Sequence, residues 1–475
     1  MKKMKKILKN SQLTHGIYMF LYTWKYDGFD NALLTLNKKK TASSSPSSVS
    51  IPQIQSKPGL NMDTYKLPDI LLQNDNAIKK IVIYFCANTI YAPEKGHSGG
   101  PGTVLATLKN IIGPSYKEHS CHYIFENKPS RPAHLQYALN EIPISNRFFI
   151  AAFAIEHGLD IWKNLDRYTQ YLFICHDVGT AYGAYLRNCR YVLVYHQQGA
   201  LVSERLSNGD TLNERDIEMA NAVEETVFYN AAKVYFPSLG AREAFRVSTH
   251  IDCSKVNFAD EALYNTIPDN TLSPSLYDEL IKDFKLTEQE RDSTDVFLSI
   301  GDFSYNKGID RIPEFLTQYY QRTKKNIYWI AIGRKLGSGI FERMQKEKES
   351  WPFKVCLLGE RINHDIILAL MDYSDYYIML HRFSIFDLST LEAMRAGNAI
   401  ILSNVNGNPE YNKEDNIVLV DPEDYSNALD ELTSRDKQEM SLLNQAVFEK
   451  CFSKQHYYDA YTKMLDNQIH EMQRN

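Results

Sequence analysis

The sequence predicts an α/β fold made of two doubly wound domains in tandem, and three observations support this. Short continuous apolar runs alternate with polar segments of helix length, a pattern typical of parallel sheets that are covered by helices. The runs form two series, which are separated by irregular sequence near residues 255–293. The chain has 475 residues, more than a single hydrophobic core usually supports.

The apolar runs are rich in Val, Ile, Tyr and Phe and have the length of strands that are buried on both faces. In sheets of this type ligands bind at the carboxyl ends of the strands, so the expected site is the cleft between the two domains. This favours an enzyme or a binder of a nucleotide-like molecule. The predicted strands are 81–86, 148–154, 171–175, 191–195 and 234–236 in the first series, and 296–300, 327–332, 355–358, 376–380, 399–402 and 417–420 in the second.

The first 78 residues are expected to form an N-terminal extension that contains a Ser/Pro-rich linker at 41–58. The extension begins with a basic segment and continues with an aromatic one, and its apolar stretch around Ile17–Trp24 is too short and too polar for a good signal peptide. Two interpretations remain open for this segment. It is an ordinary helix packed against the body, or it lies on an anionic membrane surface.

Composition excludes several classes of function. The net charge of −5 argues against a general nucleic-acid binder. The seven cysteines include no C-x-x-C pair, which argues against a zinc site or a disulfide framework and fits a reducing cytosol. His119, Cys121 and His122 lie close together in the sequence, but without a matching cluster elsewhere they do not favour a metal site. No apolar run reaches the ~18 residues of a membrane-spanning helix.

The stretch SIFDLSTLEAMRAGNAII, residues 384–401, follows a predicted strand. A helix that begins near Leu388 or Ser389 would direct its free N–H groups and its positive dipole end into the cleft, which suits a phosphate. Glu392 has two interpretations. It forms a capping box with Ser389, or its carboxylate accepts two hydroxyl groups such as those of a ribose.

This stretch resembles the signature of retaining GT-B glycosyltransferases of family four, the glycosyl transferases group 1. The segment LEAMRAG fits the second half of the signature, and the resemblance implies that Glu392 binds the nucleotide ribose. The first half of the signature departs from the family. Ser384 replaces the first Glu, and Gly-Phe-Gly-Leu is here Ile385-Phe386-Asp387-Leu388, so that Asp387 adds a charge where the family has Gly. Three explanations remain open: the donor sugar is unusual, Asp387 points at hydroxyl groups, or the site is silent.

Other segments of the second domain resemble the family in the same order. The resemblance places Lys307 on the donor diphosphate, a role that suits a compact ammonium group. Asp302 stands where the family has Arg, and either Arg334 or Arg382 is expected to supply the missing positive charge.

The segment VCLLGERIN resembles the turn that receives the nucleobase, which places Arg361 and Ile362 beside the base. Gly407, Pro409 and Glu410 resemble the Gly-x-Pro-Glu segment of the family.

The first domain resembles the family more loosely. Gly99 and Gly100 lie in a glycine-rich stretch after the first strand, where the family's loop approaches the donor phosphate and the acceptor. His196 ends a strand at the position where the family has a His near the reacting sugar. His176 and Asp177 follow another strand and are a second candidate pair for the cleft.

The resemblance also implies the domain plan. Residues 79–285 form an N-terminal Rossmann-like acceptor domain, and residues 286–450 form a C-terminal Rossmann-like domain for the nucleotide-sugar donor. Residues 451–475 form a helix that packs back on the N-terminal domain.

We therefore expect a glycosyltransferase of the hexosyltransferase type (EC 2.4) that moves a sugar from a nucleotide-diphosphate sugar to an acceptor hydroxyl with retention. The backbone of 386–389, which includes Phe386, Leu388 and Ser389, would bind the diphosphate together with Lys307. Ser384 and Asp387 would bind donor hydroxyls, and His196 would lie near the reacting carbon. The sequence contains no D-x-D triplet, and we expect no cofactor and no metal, with helix dipoles and Lys307 in place of a cation.

The expected acceptor is a growing bacterial surface glycan on a lipid carrier, with a protein acceptor as the alternative. We expect a cytoplasmic protein, with contact at the inner face of the membrane through the N-terminus as an option. The competing class is a GT-B subunit without turnover that binds a glycan or a partner enzyme. A nucleotide-sugar epimerase on the same fold is a third interpretation, but it would need several cleft carboxylates that the sequence does not place.

Overall fold

The computed structural model describes residues 80–90, 100–126, 169–186, 188–207, 211–269, 274–335, 339–360 and 362–474. The N-terminal extension, the strand predicted at 148–154, and the positions of Gly99 and Arg361 lie outside these residues.

The first sheet has six strands among the described residues, in the order β2-β3-β1-β4-β5-β6. The long strand β1 lies near the middle and pairs in parallel with β3 and β4, while the short β2 runs antiparallel to β3. The strands are β1 (Lys80–Ile90), β2 (Ser115–Tyr116), β3 (His119–Glu126), β4 (Thr169–Cys175), β5 (Arg190–Val194) and β6 (Lys233–Tyr235). The helices of this part are α1 (Gly100–Ile112), α2 (Val178–Leu186), α3 (Leu201–Ser207), α4 (Glu214–Asn230) and α5 (Leu239–Ser248).

The second sheet is parallel throughout and has the order β12-β11-β10-β7-β8-β9. Its strands are β7 (Thr294–Ile300), β8 (Asn326–Ile332), β9 (Lys354–Leu358), β10 (Tyr376–Met379), β11 (Ala399–Ser403) and β12 (Ile417–Val420). The helices of this part are α6 (Pro274–Leu280), α7 (Glu288–Asp292), α8 (Ile312–Thr323), α9 (Ile340–Glu347), α10 (His364–Tyr373), α11 (Leu388–Ala396), α12 (Ser426–Ser434) and α13 (Lys437–Cys451), and the final helix α14 (Lys454–Arg474) follows.

Two parallel-sheet α/β domains with abundant helices confirm the predicted fold class. The predicted runs that fall within the described residues are strands, because continuous apolar sequence fits a sheet that is covered on both faces. The strand β3 was not predicted, since its sequence HSCHYIFE begins with polar residues and contains only a short apolar run. These polar residues fit a strand near the sheet edge, where only the antiparallel β2 lies beyond β3.

The final helix α14 packs against the first sheet, although it follows the second one in the chain. Its buried face, which includes Tyr461 and Leu465, joins the hydrophobic core around β1. Arg190 of β5 donates a 2.9 Å hydrogen bond to Gln468, and Tyr116 donates one of 2.9 Å to Asp466. The chain therefore crosses between the two parts a second time near Phe452.

Polar contacts connect α5 of the first part to two loops of the second. The Gly240 N–H donates to Glu410 Oε1 at 2.6 Å, and the Ser238 hydroxyl donates to the carbonyl of Ile385. A Cβ atom on Gly240 would lie 1.9 Å from the carbonyl oxygen of Asn406, so only glycine allows this approach. Glu410, which the sequence assigned to the Gly-x-Pro-Glu segment, thus contacts the opposite domain.

His119, Cys121 and His122, which lie close together in the sequence, are not arranged as a metal site. Strand geometry directs His119 and Cys121 to one face and His122 to the other, where His122 stacks on Tyr84 with ring centroids 5.0 Å apart. No group of three or more His, Cys, Asp or Glu side chains in the described ranges is arranged to hold a metal ion. Within the same ranges, no helix combines the length and apolar character that a bilayer crossing requires.

Candidate functional site

The loop after β10 leads into α11, and Asp387 is the residue that precedes its first turn. The side chain of Asp387 makes no capping hydrogen bond, so the N–H groups of the first turn remain available to an anion. Ser389 is the second residue of the helix, and its hydroxyl accepts a 2.8 Å hydrogen bond from Tyr377. The capping box between Ser389 and Glu392 is therefore wrong, because Ser389 does not occupy the cap position.

Asp387 instead binds Lys307, which reaches it from the loop after β7. Lys307 Nζ lies 2.6 Å from Asp387 Oδ2, and His381 Nε2 lies 2.7 Å from the same oxygen. Burial alone would raise the pKa of Asp387, but Lys307 and His381 outweigh this effect and hold the pKa well below its usual range. The carboxylate is thus ionised at neutral pH and neutralises the lysine that the sequence placed on a diphosphate.

Gly308 allows the loop to bring Lys307 to this position. Its φ angle of +61° lies in the left-handed region, and a Cβ atom would lie 1.8 Å from the carbonyl oxygen of Leu380. Steric constraints at position 308 therefore require a glycine directly after Lys307.

The two arginines that were expected to supply additional positive charge are also paired with aspartates. Arg334 donates a 2.8 Å hydrogen bond to Asp302 Oδ1 and a second, short one to Oδ2. Arg382 binds Asp310 through two hydrogen bonds of 2.7 and 3.0 Å. A ligand phosphate would have to share these cations with the carboxylates that already hold them.

Glu392 lies one turn into α11, and His364 at the start of α10 contacts it. His364 Nε2 lies 2.8 Å from Glu392 Oε1, and only 11% of the Glu392 side chain is exposed. Among the described residues no hydrogen bond is donated to Oε2 of Glu392, which leaves that oxygen for a ligand hydroxyl. Ile362, predicted beside a base, precedes His364 by two residues and packs against the core of the second domain.

The titration of His364 tests this contact. The hydrogen bond to Glu392 raises the pKa of His364, against the opposing effect of burial. The stabilisation is therefore present below the ordinary pKa of about 6.5 and is lost as the pH rises through the raised value. We expect Glu392→Gln to lower the pKa of His364, as followed by NMR of the imidazole ring. Glu431→Gln, which removes a carboxylate paired with Arg435, is the control, and an unshifted His364 in Glu392→Gln would contradict the contact.

In the first domain, the structure brings together two histidines that the sequence treated as separate candidates. His176 Nδ1 lies 3.1 Å from His196 Nε2, and the two rings stack with centroids 5.3 Å apart. Burial lowers the pKa of His196 to about 4, and burial together with His196 lowers that of His176. Both rings are neutral at physiological pH, and His176 orients His196.

The remaining predicted residues have the following positions. Asp177 binds the N–H and the hydroxyl of Thr180 at 2.9 and 3.0 Å and thereby caps α2. Gly100 is the first residue of α1. Ser384 is fully buried, and its hydroxyl has no hydrogen-bond partner among the described residues. Phe386 is also buried, with its ring stacked on Tyr411 at 4.1 Å between centroids.

His364 and His381 belong to the candidate site but were not predicted from the sequence. His381 directly follows a predicted strand end, and His364 directly follows the segment VCLLGERIN that was predicted to receive the base. Position at the carboxyl end of a strand was a signal for His381, as it was for His196. Neither histidine could be assigned a partner, because both partners come from α11 and its cap.

Residues 281–447 match the family described as "Glycosyl transferases group 1". No match was found among curated protein sequences. The family match and the GT-B architecture identify the protein as a glycosyltransferase (EC 2.4), so the predicted enzyme class is confirmed.

Several solved structures share this fold at low sequence identity. Sucrose-phosphate synthase from Thermosynechococcus elongatus is 14% identical, with a TM-score of 0.57 over 83% of this chain and 100% of that chain. The Anabaena protein HepE, in complex with UDP and glucose, is 15% identical, with a TM-score of 0.53 over 82% and 100%. The E. coli structure described as "Trehalose-6-phosphate from E. coli bound with UDP-2-fluoro glucose" is 13% identical, with a TM-score of 0.55 over 81% of this chain and 99% of that chain.

Proposed function

We propose that the protein transfers a sugar from a UDP-sugar to an acceptor hydroxyl with retention of configuration. One observation carries this proposal. Lys307 contacts the cap residue of α11, and the same helix presents Glu392 one turn further on. A cation, a helix N-terminus and a carboxylate thus lie in sequence along one edge of the second sheet. The choice of uridine rests on the Anabaena and E. coli structures of similar fold, which hold UDP or a UDP-sugar.

The donor diphosphate binds Lys307 and the backbone at Phe386, Leu388 and Ser389. The first turn of α11 offers N–H groups and a positive dipole end to the phosphate oxygens. Because Asp387 already neutralises Lys307, diphosphate binding redistributes an existing ion pair. The ammonium and the helix end stabilise the leaving UDP, which is where negative charge develops in the reaction.

The ribose binds Glu392 through the oxygen that His364 leaves free. The contact with His364 fixes the carboxylate in one orientation before the ligand arrives, which lowers the entropic cost of binding. Ile362 lies beside the base in this arrangement.

The donor sugar binds near Ser384 and Asp387. Ser384 has a hydroxyl without a partner among the described residues, but its side chain is fully buried. The loop 384–387 must therefore move before a sugar hydroxyl reaches it. Since Ser384 replaces the carboxylate of the related enzymes, we expect a donor sugar that uses fewer charge-assisted hydrogen bonds there.

His196 contributes a neutral imidazole near the reacting carbon. A pKa of about 4 excludes a protonated ring at pH 7, so His196 positions a hydroxyl by hydrogen bonding and does not deliver a proton. The acceptor attacks from the face that the UDP leaves, and an oxygen of the departing phosphate takes the acceptor proton. The new glycosidic C–O bond forms as the bond to the phosphate oxygen breaks, and positioning supplies much of the rate.

We further propose that the reaction needs no metal and no cofactor, and that the acceptor is a growing bacterial surface glycan on a lipid carrier. The protein would act in the cytoplasm, with its basic and aromatic N-terminus at the inner face of the membrane. The seven cysteines, all within the described residues, are free thiols, as a reducing compartment favours.

Incubation of the purified protein with UDP-, GDP-, ADP- and dTDP-sugars tests the proposal. We expect slow release of UDP from one UDP-sugar in the absence of acceptor, and no release in Glu392→Ala. The release should survive EDTA, because Lys307 and the helix end replace the cation. Release only from another nucleotide sugar would refute the uridine assignment. A protein that neither releases nor binds any nucleotide would refute the transferase and favour a binding subunit without turnover.

A further inference from the structure

A cavity of about 380 Å³ lies where the chain crosses twice between the two domains. Its walls come from the connecting segment around Tyr264, from Lys413 after β11, and from the residues around Phe452 between α13 and α14. The volume falls in the range of small-molecule sites. None of the residues of the donor site described above lines it.

The charge of the cavity selects a class of ligand. Lys413, Lys450 and His456 line it, and no acidic side chain is among the described residues that do. Lys450 is paired with Glu414, whereas Lys413 has no carboxylate within ion-pair distance among the described residues. Lys413 Nζ instead lies 3.0 Å from the Tyr264 hydroxyl and 4.6 Å from the centre of its ring.

Apart from Asn265, the remaining lining residues are aromatic or apolar. Tyr264 and Phe452 meet edge to face, with centroids 5.5 Å apart, and Ala460 of α14 completes one side. A flat apolar body packed against these rings, with one anionic group on Lys413, would fit both the aromatic walls and the positive charge of the cavity.

The same walls contact the loop of the donor site. The Tyr264 ring lies 5.0 Å from that of Phe386, and the Asn265 side chain donates a 3.3 Å hydrogen bond to the Phe386 carbonyl. Tyr264 also donates a 2.9 Å hydrogen bond to Glu410, which binds α5 of the first domain through its other oxygen. A ligand on Tyr264 would therefore contact a ring that itself packs against Phe386, the residue directly before Asp387.

We propose that this cavity is a regulatory site for a small aromatic monoanion, and that its occupancy is communicated to the loop 384–387 through Tyr264 and Asn265. The ligand would replace the Tyr264 hydroxyl as the partner of Lys413. The inference concerns binding and loop motion, so it does not require that the proposed donor be correct.

Calorimetric titration of the full chain with naphthalene-2-sulfonate tests the site. We expect saturable binding of one molecule, at least tenfold weaker binding to Lys413→Gln, and none to Ala460→Trp, which fills the cavity. Naphthalene-2-methanol, which lacks the charge, and methanesulfonate, which lacks the rings, should bind at least tenfold more weakly. Lys413 is exposed on the surface, so its variant should fold normally, as circular dichroism checks.

Hydrogen–deuterium exchange measured by mass spectrometry tests the communication without any nucleotide. Saturating naphthalene-2-sulfonate should change the exchange of the peptide that contains residues 384–388 in the wild type but not in Ala460→Trp. No saturable binding, or equal binding to wild type and Lys413→Gln, would overturn the site. Binding that leaves the exchange of this peptide unchanged would overturn the communication with the donor loop.

Discussion

Replacing Lys307 with alanine is expected to lower turnover by about 10²–10³-fold, because one stabilising charge on the leaving diphosphate is lost. The same change should also destabilise the fold. Asp387 is 13% exposed and would keep only His381 as a partner, and breaking such a buried pair costs about 3 kcal/mol or more. Released UDP and thermal unfolding measure the two effects separately.

The double variant Lys307→Ala/Asp387→Gly separates these effects. It removes the buried carboxylate that has lost its partner, and glycine at the cap position costs only a few tenths of a kcal/mol. We expect the melting temperature to return toward that of the wild type while turnover stays low. If turnover returns with stability, Lys307 serves the fold alone and its assignment to the diphosphate is wrong.

Lys437 is a matched control for the stability effect. It binds two carboxylates, Asp295 of β7 at 3.2 Å and Asp375 directly before β10 at 2.9 Å, and it was not placed in the donor site. Lys437→Ala should lower the melting temperature without changing the turnover of the remaining folded protein. A loss of turnover equal to that of Lys307→Ala would show that general destabilisation explains both variants.

Much of the fold could be predicted because most of its strands can be recognised from a few consecutive residues. A run such as IVLV at 417–420 carries the pattern of a buried parallel strand within four residues, and the structure places β12 there. The strand β3 carries a different pattern, with His119, Ser120 and His122 among apolar residues, because only a short strand lies beyond it. The strand β3 was therefore not predicted because its polar pattern depends on its position in the sheet, which cannot be read from the sequence.

For the candidate site, the sequence predicted individual residues but not the contacts between them. Lys307, Asp387 and Glu392 were all singled out, yet the pairing of Lys307 with Asp387 joins residues that are 80 positions apart. The sequence treated Asp387 as an unfavourable charge near a phosphate, whereas the structure shows it as the partner of the lysine. The same reason explains Arg334 and Arg382, whose neutralisation by Asp302 and Asp310 depends on how loops fold back.

Glu392→Ala is expected to weaken UDP binding by about 10–100-fold, since a hydrogen bond to a charged group contributes about 1.5–3 kcal/mol. The loss should depend on the ribose. Wild-type protein should bind UDP more tightly than 2′-deoxy-UDP or 3′-deoxy-UDP, because a site built around a hydroxyl rejects the analogue that lacks it. Calorimetric titration of each nucleotide into the folded protein measures this preference.

The preference for UDP over its deoxy analogues should disappear in Glu392→Ala. Without the Glu392 carboxylate, a missing ribose hydroxyl no longer leaves a hydrogen-bond acceptor unpaired. General damage to the site does not affect this comparison, because UDP and its deoxy analogues all bind to the same altered pocket. Glu431→Gln, which changes a carboxylate on α12, should retain both the affinity and the preference. If Glu392→Ala still discriminates UDP from both deoxy analogues, the ribose is bound elsewhere, and the contact with His364 is the whole role of Glu392.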